Sequence, residues 1–276
     1  MNKKSRDQIL IDEKEFHDEW AESEDILSID IMKRNTALTA PEMRYIKDKL
    51  GDISGKTLLD VGCGLGEASV FFALLGADVT ASDLSPGMLK ASNDLAEKNN
   101  VIIKNHLASA DDLNLDENTK YDIIYAGNLL HHVEIDETLS RFKNHLSDDG
   151  VLVTWDPLAY NPIINIYRMI ATNVRTPDEH PLKMSDIKLF KKHFAKVETT
   201  YFWLTTLLIF ILMAVFQRRN PNSERYWKSV VDESDKWEWL YKPLSILDKF
   251  LYKLLPFLKP LSWNVVVFSY KNEKNL

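Results

Sequence analysis

The sequence predicts an α/β fold, a doubly wound and mostly parallel sheet with helices on both faces. Three observations carry this. Apolar runs of strand length alternate with helical patterns between residues 57 and 157. A glycine-rich turn, GCGLG at 62–66, directly follows the first run and opens the first of the intervening helices. Asp60, Asp83 and Asp156 stand at or near the carboxyl ends of three runs, where ligands bind in open sheets of this kind.

Residues 5–50 read as polar-amphipathic helices, with Pro41 near the start of the last one. TLLDVG (57–62) is the first strand, and GEASVFFALLG the helix after it, ended by Gly76. DVTASD (78–83) is the second strand, followed by a helix that Ser85 caps and Pro86 starts. VIIKNHLAS (101–109), YDIIYAG (121–127) and VLVTWDP (151–157) are the third, fourth and fifth strands. Beyond them DIKLFKKHFAKVETTYFWL reads as a helix and then a strand near 196–204, and WNVVVFSYK (263–271) as the last strand. A hairpin needs only two to five loop residues, so if these two strands pair, residues 204–262 are an insertion.

LLDVGCGLGEAS is the strongest chemical signal. Its glycines allow a tight turn and close backbone approach to a ligand, and the helix start presents free N–H groups. A dinucleotide site wants G-x-G-x-x-G, but Glu67 holds the third glycine position and would repel a pyrophosphate. Asp60 suits a ligand with a positive group instead, such as the amino and sulfonium centres of S-adenosylmethionine. Asp83, at the end of the second strand, suits a ribose diol. A nicotinamide-dependent oxidoreductase and a non-catalytic binding module recruited to membranes are the alternative readings.

Together with VTASDLSPGML, SADDL, YDIIYAGNLLHHV and LSDDGVLVTWDP, the loop resembles the class I S-adenosylmethionine-dependent methyltransferases, in the small-molecule branch of the ubiquinone and menaquinone biosynthesis enzymes. The resemblance covers about residues 40–160. It implies a seven-stranded, Rossmann-like sheet whose last strand, WNVVVFSYK, is antiparallel. By position it implies that Asp60, Gly62 and Gly64 form the methionine end of the cofactor site. Asp83 would hold the ribose, with Leu84 and Met88 near the adenine. Ser109, Ala110 and Asp111 would meet the adenine edge, with Asp111 favoured as the acceptor of its amine because many relatives have an acid where Ser109 stands. Asn128 would sit near the transferred methyl.

Methyl transfer needs alignment above all, and a base if the acceptor is a hydroxyl, an acidic carbon or a protonated amine. His132 and His131 follow the fourth strand and are candidates for that base, or they cap the next helix. Asp156 either orients or deprotonates the acceptor, or begins a turn ahead of Pro157. Trp155 and Tyr160 are placed to flank a flat substrate, Trp155 alternatively packing in the core. Phe16, His17 and Trp20 share helical spacing, which fits a helix packed on the body or a lid whose His17 and Trp20 reach the substrate. No cluster has metal-ligand spacing, DEH at 178–180 included.

Composition divides the chain. Of its 276 residues, 45% are apolar and 27% charged, ordinary for a globular protein. All nine glycines lie at or before Gly150, and six of seven tryptophans lie after it. The net charge of −7 excludes a nucleic-acid binder that relies on global basicity. Residues 204–262 run against this, with nine Lys/Arg to six Asp/Glu. The uncharged stretch 201–216 is shorter than the ~20 residues of a membrane span. Leucines of 241–259 recur at helical spacing until Pro256. This insertion reads as a soluble acceptor cap, a membrane-surface element or, least in keeping with a shared sheet, a span.

The expected organisation is an N-terminal helical lid (1–50), a cofactor-binding core (51–203), the apolar insertion (204–262), and a final strand with its tail (263–276). With one cysteine, Cys63, and no apolar run behind the basic start, the expected location is cytoplasmic, with the membrane periphery as an option through 204–262. The expected activity is methyl transfer from S-adenosylmethionine to a small or lipid-like apolar acceptor, O-methylation ahead of C- or N-methylation, with no nucleic-acid partner.

Overall fold

The computed structural model describes residues 5–173, 176 and 179–272. Strand β1 (Thr57–Val61) carries Leu58, Leu59 and Val61 buried on both faces, as a central parallel strand requires. Around it the sheet adds β2 (Asp78–Asp83), β3 (Lys104–Leu107), β4 (Tyr121–Gly127), β5 (Leu146–Pro157), β6 (Lys196–Phe202) and β7 (Asn264–Tyr270). The seven strands lie in the order β3-β2-β1-β4-β5-β7-β6. The first five are parallel, while β7 runs antiparallel to both β5 and β6. The chain changes winding direction between β1 and β4, so the crevice for a ligand opens beyond their carboxyl ends.

Two strands differ in length from the sequence reading. β3 keeps only four of the nine residues expected, because it is an edge strand paired with β2 alone. β5 starts earlier, at Leu146, and a register shift against β4 between Tyr121 and Ile123 accommodates the extra residues.

Helices α1 (Arg6–Ser23), α2 (Ile31–Thr36) and α3 (Pro41–Leu50) precede the sheet. α4 (Glu67–Leu74) and α5 (Pro86–Lys98) pack on one face through Val70, Phe71, Phe72 and Leu95. The Ser85 side chain caps α5 by accepting from Met88 N–H at 3.0 Å, with Pro86 in the first turn. α6 (Ile135–His145) and α8 (Met184–His193) cover the other face through Leu139, Phe142, Ile187 and Phe190, and α7 (Pro162–Ile170) lies between them in sequence.

Between β6 and β7 the chain forms α9 (Leu208–Val215), α10 (Tyr226–Asp232) and α11 (Ser234–Leu254). They build a core of their own with α7: Ile164, Trp203, Leu207, Ile209, Phe210, Met213, Tyr226, Val230, Trp237 and Tyr241. Each large apolar side chain so buried stabilises by ~1.5–3 kcal/mol. The buried Asp248 of α11 anchors the turn after β6, accepting from Leu204 and Thr205 N–H at 3.1 and 2.7 Å and from Thr206 Oγ1–H at 2.9 Å. Among the described residues no helix is long and apolar enough to cross a membrane. The stretch 201–216 is divided between the end of β6 and the short α9.

Candidate active site

A cavity of about 350 Å³ opens at the carboxyl ends of β1 and β4, lined by α1, α2, the glycine loop, the ends of β2, β4 and β5, α7 and α10. Its floor is the loop 62–66. Gly64 has φ +54 and donates its N–H to Asp83 Oδ2 at 2.9 Å, and a Cβ added there would meet only open space. Gly66 is fixed by packing: at φ +83, an added Cβ would strike Ser92 at 2.2–2.8 Å, backbone included.

Two buried carboxylates face this floor. Asp60 accepts from Ser69 Oγ–H at 2.5 Å. Burial pushes its carboxyl up to about 7, the nearby Asp83 adding to the rise against the Ser69 bond. Asp83 Oδ1 accepts from Ser85 N–H at 2.9 Å, and burial raises this carboxyl too, opposed by His17 and the backbone N–H groups. Such a pair is stabilised by a ligand that brings positive charge and hydroxyl donors.

Leu84, Ser109, Ala110 and Asp111 line the wall beyond β2. Asp111 is already engaged there: Arg6 of α1 donates to it through Nε at 2.6 Å, tying α1 across the site. Asn128 lines the cavity in a left-handed conformation, φ +59, which Asn tolerates better than most residues, and its N–H donates to Trp155 O at 2.6 Å. Met88 lies outside the lining, fully buried in the core beneath α5.

His131 and His132 both line the cavity, their rings 4.1 Å apart. His131 Nδ1 bonds Asp156 Oδ1 at 2.9 Å and His132 Nδ1 bonds Glu13 Oε1 at 3.1 Å. Asp156 is not in the lining but fully buried behind His131, and burial raises its carboxyl well above the usual range, against the backbone N–H groups of residues 129–131. Its place therefore suits orienting His131, not touching an acceptor. For Glu13 burial is outweighed by His132, Thr176 and His17, and its carboxyl is lowered.

His17 and Trp20 of α1 and Trp155 of β5 line the cavity; the Trp155 indole N–H donates to Tyr125 Oη at 2.7 Å. Tyr160 does not: the chain after β5 turns it outward, 41% exposed, where its hydroxyl accepts from Met184 N–H.

Several lining residues carried no signal in the sequence. Glu42, in the first turn of α3, reads there as an ordinary helix-start acid. In the fold it is buried at the cavity wall, bonded by Asn264 Nδ2 at 2.7 Å, and burial pushes it up to about 7 against Asn264 and Trp203. Arg34, Arg225 and Lys228 come from α2 and the start of α10. The ligating atoms of His131, His132 and Glu179 lie within 4.8 Å of one another, a grouping of metal-ligand type that the sequence spacing did not reveal. Asp178, of the DEH stretch, lies outside the described residues.

The sheet order, the antiparallel β7 and the loop between two strand-end carboxylates define a Rossmann-like core of the class I, S-adenosylmethionine-dependent methyltransferase type. Residues 59–152 match the family model described as a methyltransferase domain.

The chain is similar to ubiquinone biosynthesis O-methyltransferases: 29% identical over 126 residues to that of Bordetella parapertussis, covering 46% of this chain and 52% of the relative. To that of Glaesserella parasuis it is 34% identical over 115 residues, 40% and 49% of the two chains. The matches thus take in about half the length of these relatives. In fold it is similar to the PH0226 protein of Pyrococcus horikoshii, with TM-score 0.52, 18% identity, and coverage of 66% of this chain and 92% of the other. S-adenosylmethionine is the cofactor of this class, and the buried carboxylates and the open space at Gly64 fit it.

Proposed function

We propose that the protein transfers a methyl group from S-adenosylmethionine to a small or lipid-like apolar acceptor, by preference to a hydroxyl oxygen. The observation that carries this is the Asp60–Asp83 pair at the glycine loop, opening directly into a cavity walled by tryptophans. The relatives' O-methyltransferase name favours oxygen as the target.

When bound, S-adenosylmethionine supplies a methyl group already activated for in-line displacement. Asp60, Gly62 and Gly64 hold its methionine end, Asp83 the ribose, and Leu84, Ser109 and Ala110 the adenine. Asp111 acts here by drawing Arg6 and α1 over the adenine side as a lid. Asn128, just after β4, would face the methyl group. The acceptor lies between Trp20 and Trp155, under the cap formed by 204–262, where water is excluded and alignment can supply ~7–11 kcal/mol. The His131–His132 pair takes the acceptor's proton, with Asp156 and Glu13 fixing the two rings through Nδ1.

The same reading gives the cap an outer role at a membrane surface. Trp239 (70% exposed), Ile246, Phe250 and Leu254 form an exposed stripe along α11 that Phe257 continues, with Lys242, Lys249 and Lys253 on the same helix.

Isothermal titration with S-adenosylmethionine, followed by its turnover to S-adenosylhomocysteine with a lipid extract, tests the reaction; absence of binding heat sinks it. Sedimentation with anionic liposomes tests the outer role. Wild type is expected to pellet and Phe250→Glu/Phe257→Glu to stay in solution; a wild type that stays in solution removes the membrane from the proposal.

A further inference from the structure

The cap contributes charge as well as apolar wall. Arg225 and Lys228 of the α10 segment line the cavity together with Arg34, and of the three carboxylates that pair with these cations only Glu67 lines it. Glu24 and Asp232 hold the cations from behind, so positive groups face inward.

The three cations are not equally engaged. Arg34 donates to Asp232 through Nε and Nη2 at 2.5 and 2.8 Å, and to Glu67 through Nη1 at 2.7 Å. Lys228 donates to Glu24 Oε1 at 3.1 Å. Arg225 approaches that same Oε1 only to 3.6 Å, too far for a hydrogen bond, while the Trp20 indole N–H occupies it at 2.7 Å. Its guanidinium instead stacks 4.2 Å from the centre of the Trp20 ring. The guanidinium thus lines the cavity with only this ion pair to Glu24 and no hydrogen-bonded acceptor among the described residues, on an arginine whose side chain is only 20% exposed. Its direct partners differ from those of Arg34: Arg34 sits against Glu67 at the start of α4, whereas Arg225 lies over Trp20 of α1, in a cavity wall that also holds Ile164, Tyr167 and Arg168 of α7.

We infer that Arg225, stacked on Trp20, binds a carboxylate on the methyl acceptor, making the substrate class an apolar or aromatic acid. This rests on the methyl-transfer reading above. A planar carboxylate matches the guanidinium fork in a bidentate pair, and the Trp20 face holds the fork in plane.

The test uses the full chain and two probes that differ only in charge, 4-octylbenzoate and 4-octylbenzamide, titrated calorimetrically. S-adenosylmethionine is titrated into the same preparations. Wild type is expected to favour the acid by roughly tenfold or more. Arg225→Gln is expected to lose that preference and keep its affinity for S-adenosylmethionine. Equal affinity of wild type for the two probes, binding of neither, or a preference that survives in Arg225→Gln overturns the inference. So does a variant that loses S-adenosylmethionine affinity alone, which assigns Arg225 to the cofactor's own carboxylate. If Arg225→Gln does not fold, Arg225→Lys keeps the charge without the fork, and an undiminished preference in it overturns the assignment. A wild type that binds S-adenosylmethionine but shows no acid preference leaves the methyl-transfer reading standing; failure to bind S-adenosylmethionine removes that reading itself.

Discussion

The floor of the cavity takes Asp60, Gly62, Gly64 and Asp83 from two neighbouring strand ends, β1 and β2. Its roof takes Trp20, Glu42, Tyr167, Trp203 and Arg225 from five separate segments of the chain. The floor is polar, with backbone donors held by glycine geometry; the roof is aromatic, with isolated charges set in it. The floor, which fits the cofactor, is assembled from local sequence, where loop geometry does the positioning. The part proposed to choose the acceptor is assembled by tertiary packing, from residues far apart in the chain.

Substitutions in the floor are expected to cost most. Asp83→Ala removes a carboxylate that binds two backbone N–H groups and faces the cavity. It is expected to weaken S-adenosylmethionine by about a hundredfold, on the order of 3 kcal/mol, read by calorimetry; an unchanged affinity breaks the division between floor and roof. Next, Gly66→Ala forces a Cβ against Ser92 at a positive φ. It is expected to cost about 2–4 kcal/mol of stability, seen as a lowered denaturant midpoint, with no comparable loss for a substitution at exposed Trp239.

In the roof, Glu42 links stability to pH. Its folded carboxyl, at about 7, lies above the unfolded value of 4.5. Below the unfolded value both states are protonated and burial carries no ionisation penalty. As pH rises toward 7 the unfolded chain ionises first, and stability falls. Glu42→Gln removes that loss, so its stability relative to wild type is expected to improve by on the order of 2–3 kcal/mol between pH 4 and pH 8, measured by denaturant titration at both. A constant difference across that range rejects the assignment.

The smallest effect sharpens the floor. Asp60 also lies near 7, so a cationic ligand beside it lowers its pKa and drives a proton off on binding. Calorimetry near pH 7 in buffers of different ionisation enthalpy is expected to find a fraction of a proton released per S-adenosylmethionine bound, and none in Asp60→Asn; equal release by both proteins moves the proton to another group.

What could be read from the sequence follows the same line. The five parallel strands, the cap on α5 and the loop between Asp60 and Asp83 were legible because each is set by neighbours in the chain. Edge position, invisible in a run of apolar residues, shortened β3 to Lys104–Leu107. Tyr160 and Met88 stand near strand ends in the sequence, but the turn after β5 carries one to the surface and α5 points the other into the core. Glu42 and Arg225 gave no sign, since a first-turn acid and a basic residue in a basic segment are ordinary, and only the walls packed around them set their burial.

The turn after β6 has a consequence for how such a molecule is assembled. Trp203, at φ +66, accepts the Trp263 N–H at 2.9 Å, directly beyond the last register pair of β6 and β7, Phe202 with Asn264. Everything between leaves and returns through a single rung, so to the sheet the cap is interchangeable with a tight hairpin turn. Such a junction lets the cap vary in length while the strands on either side keep their registry, because closing a longer loop across a fixed rung adds little entropy, provided the core it shares with α7 stays filled.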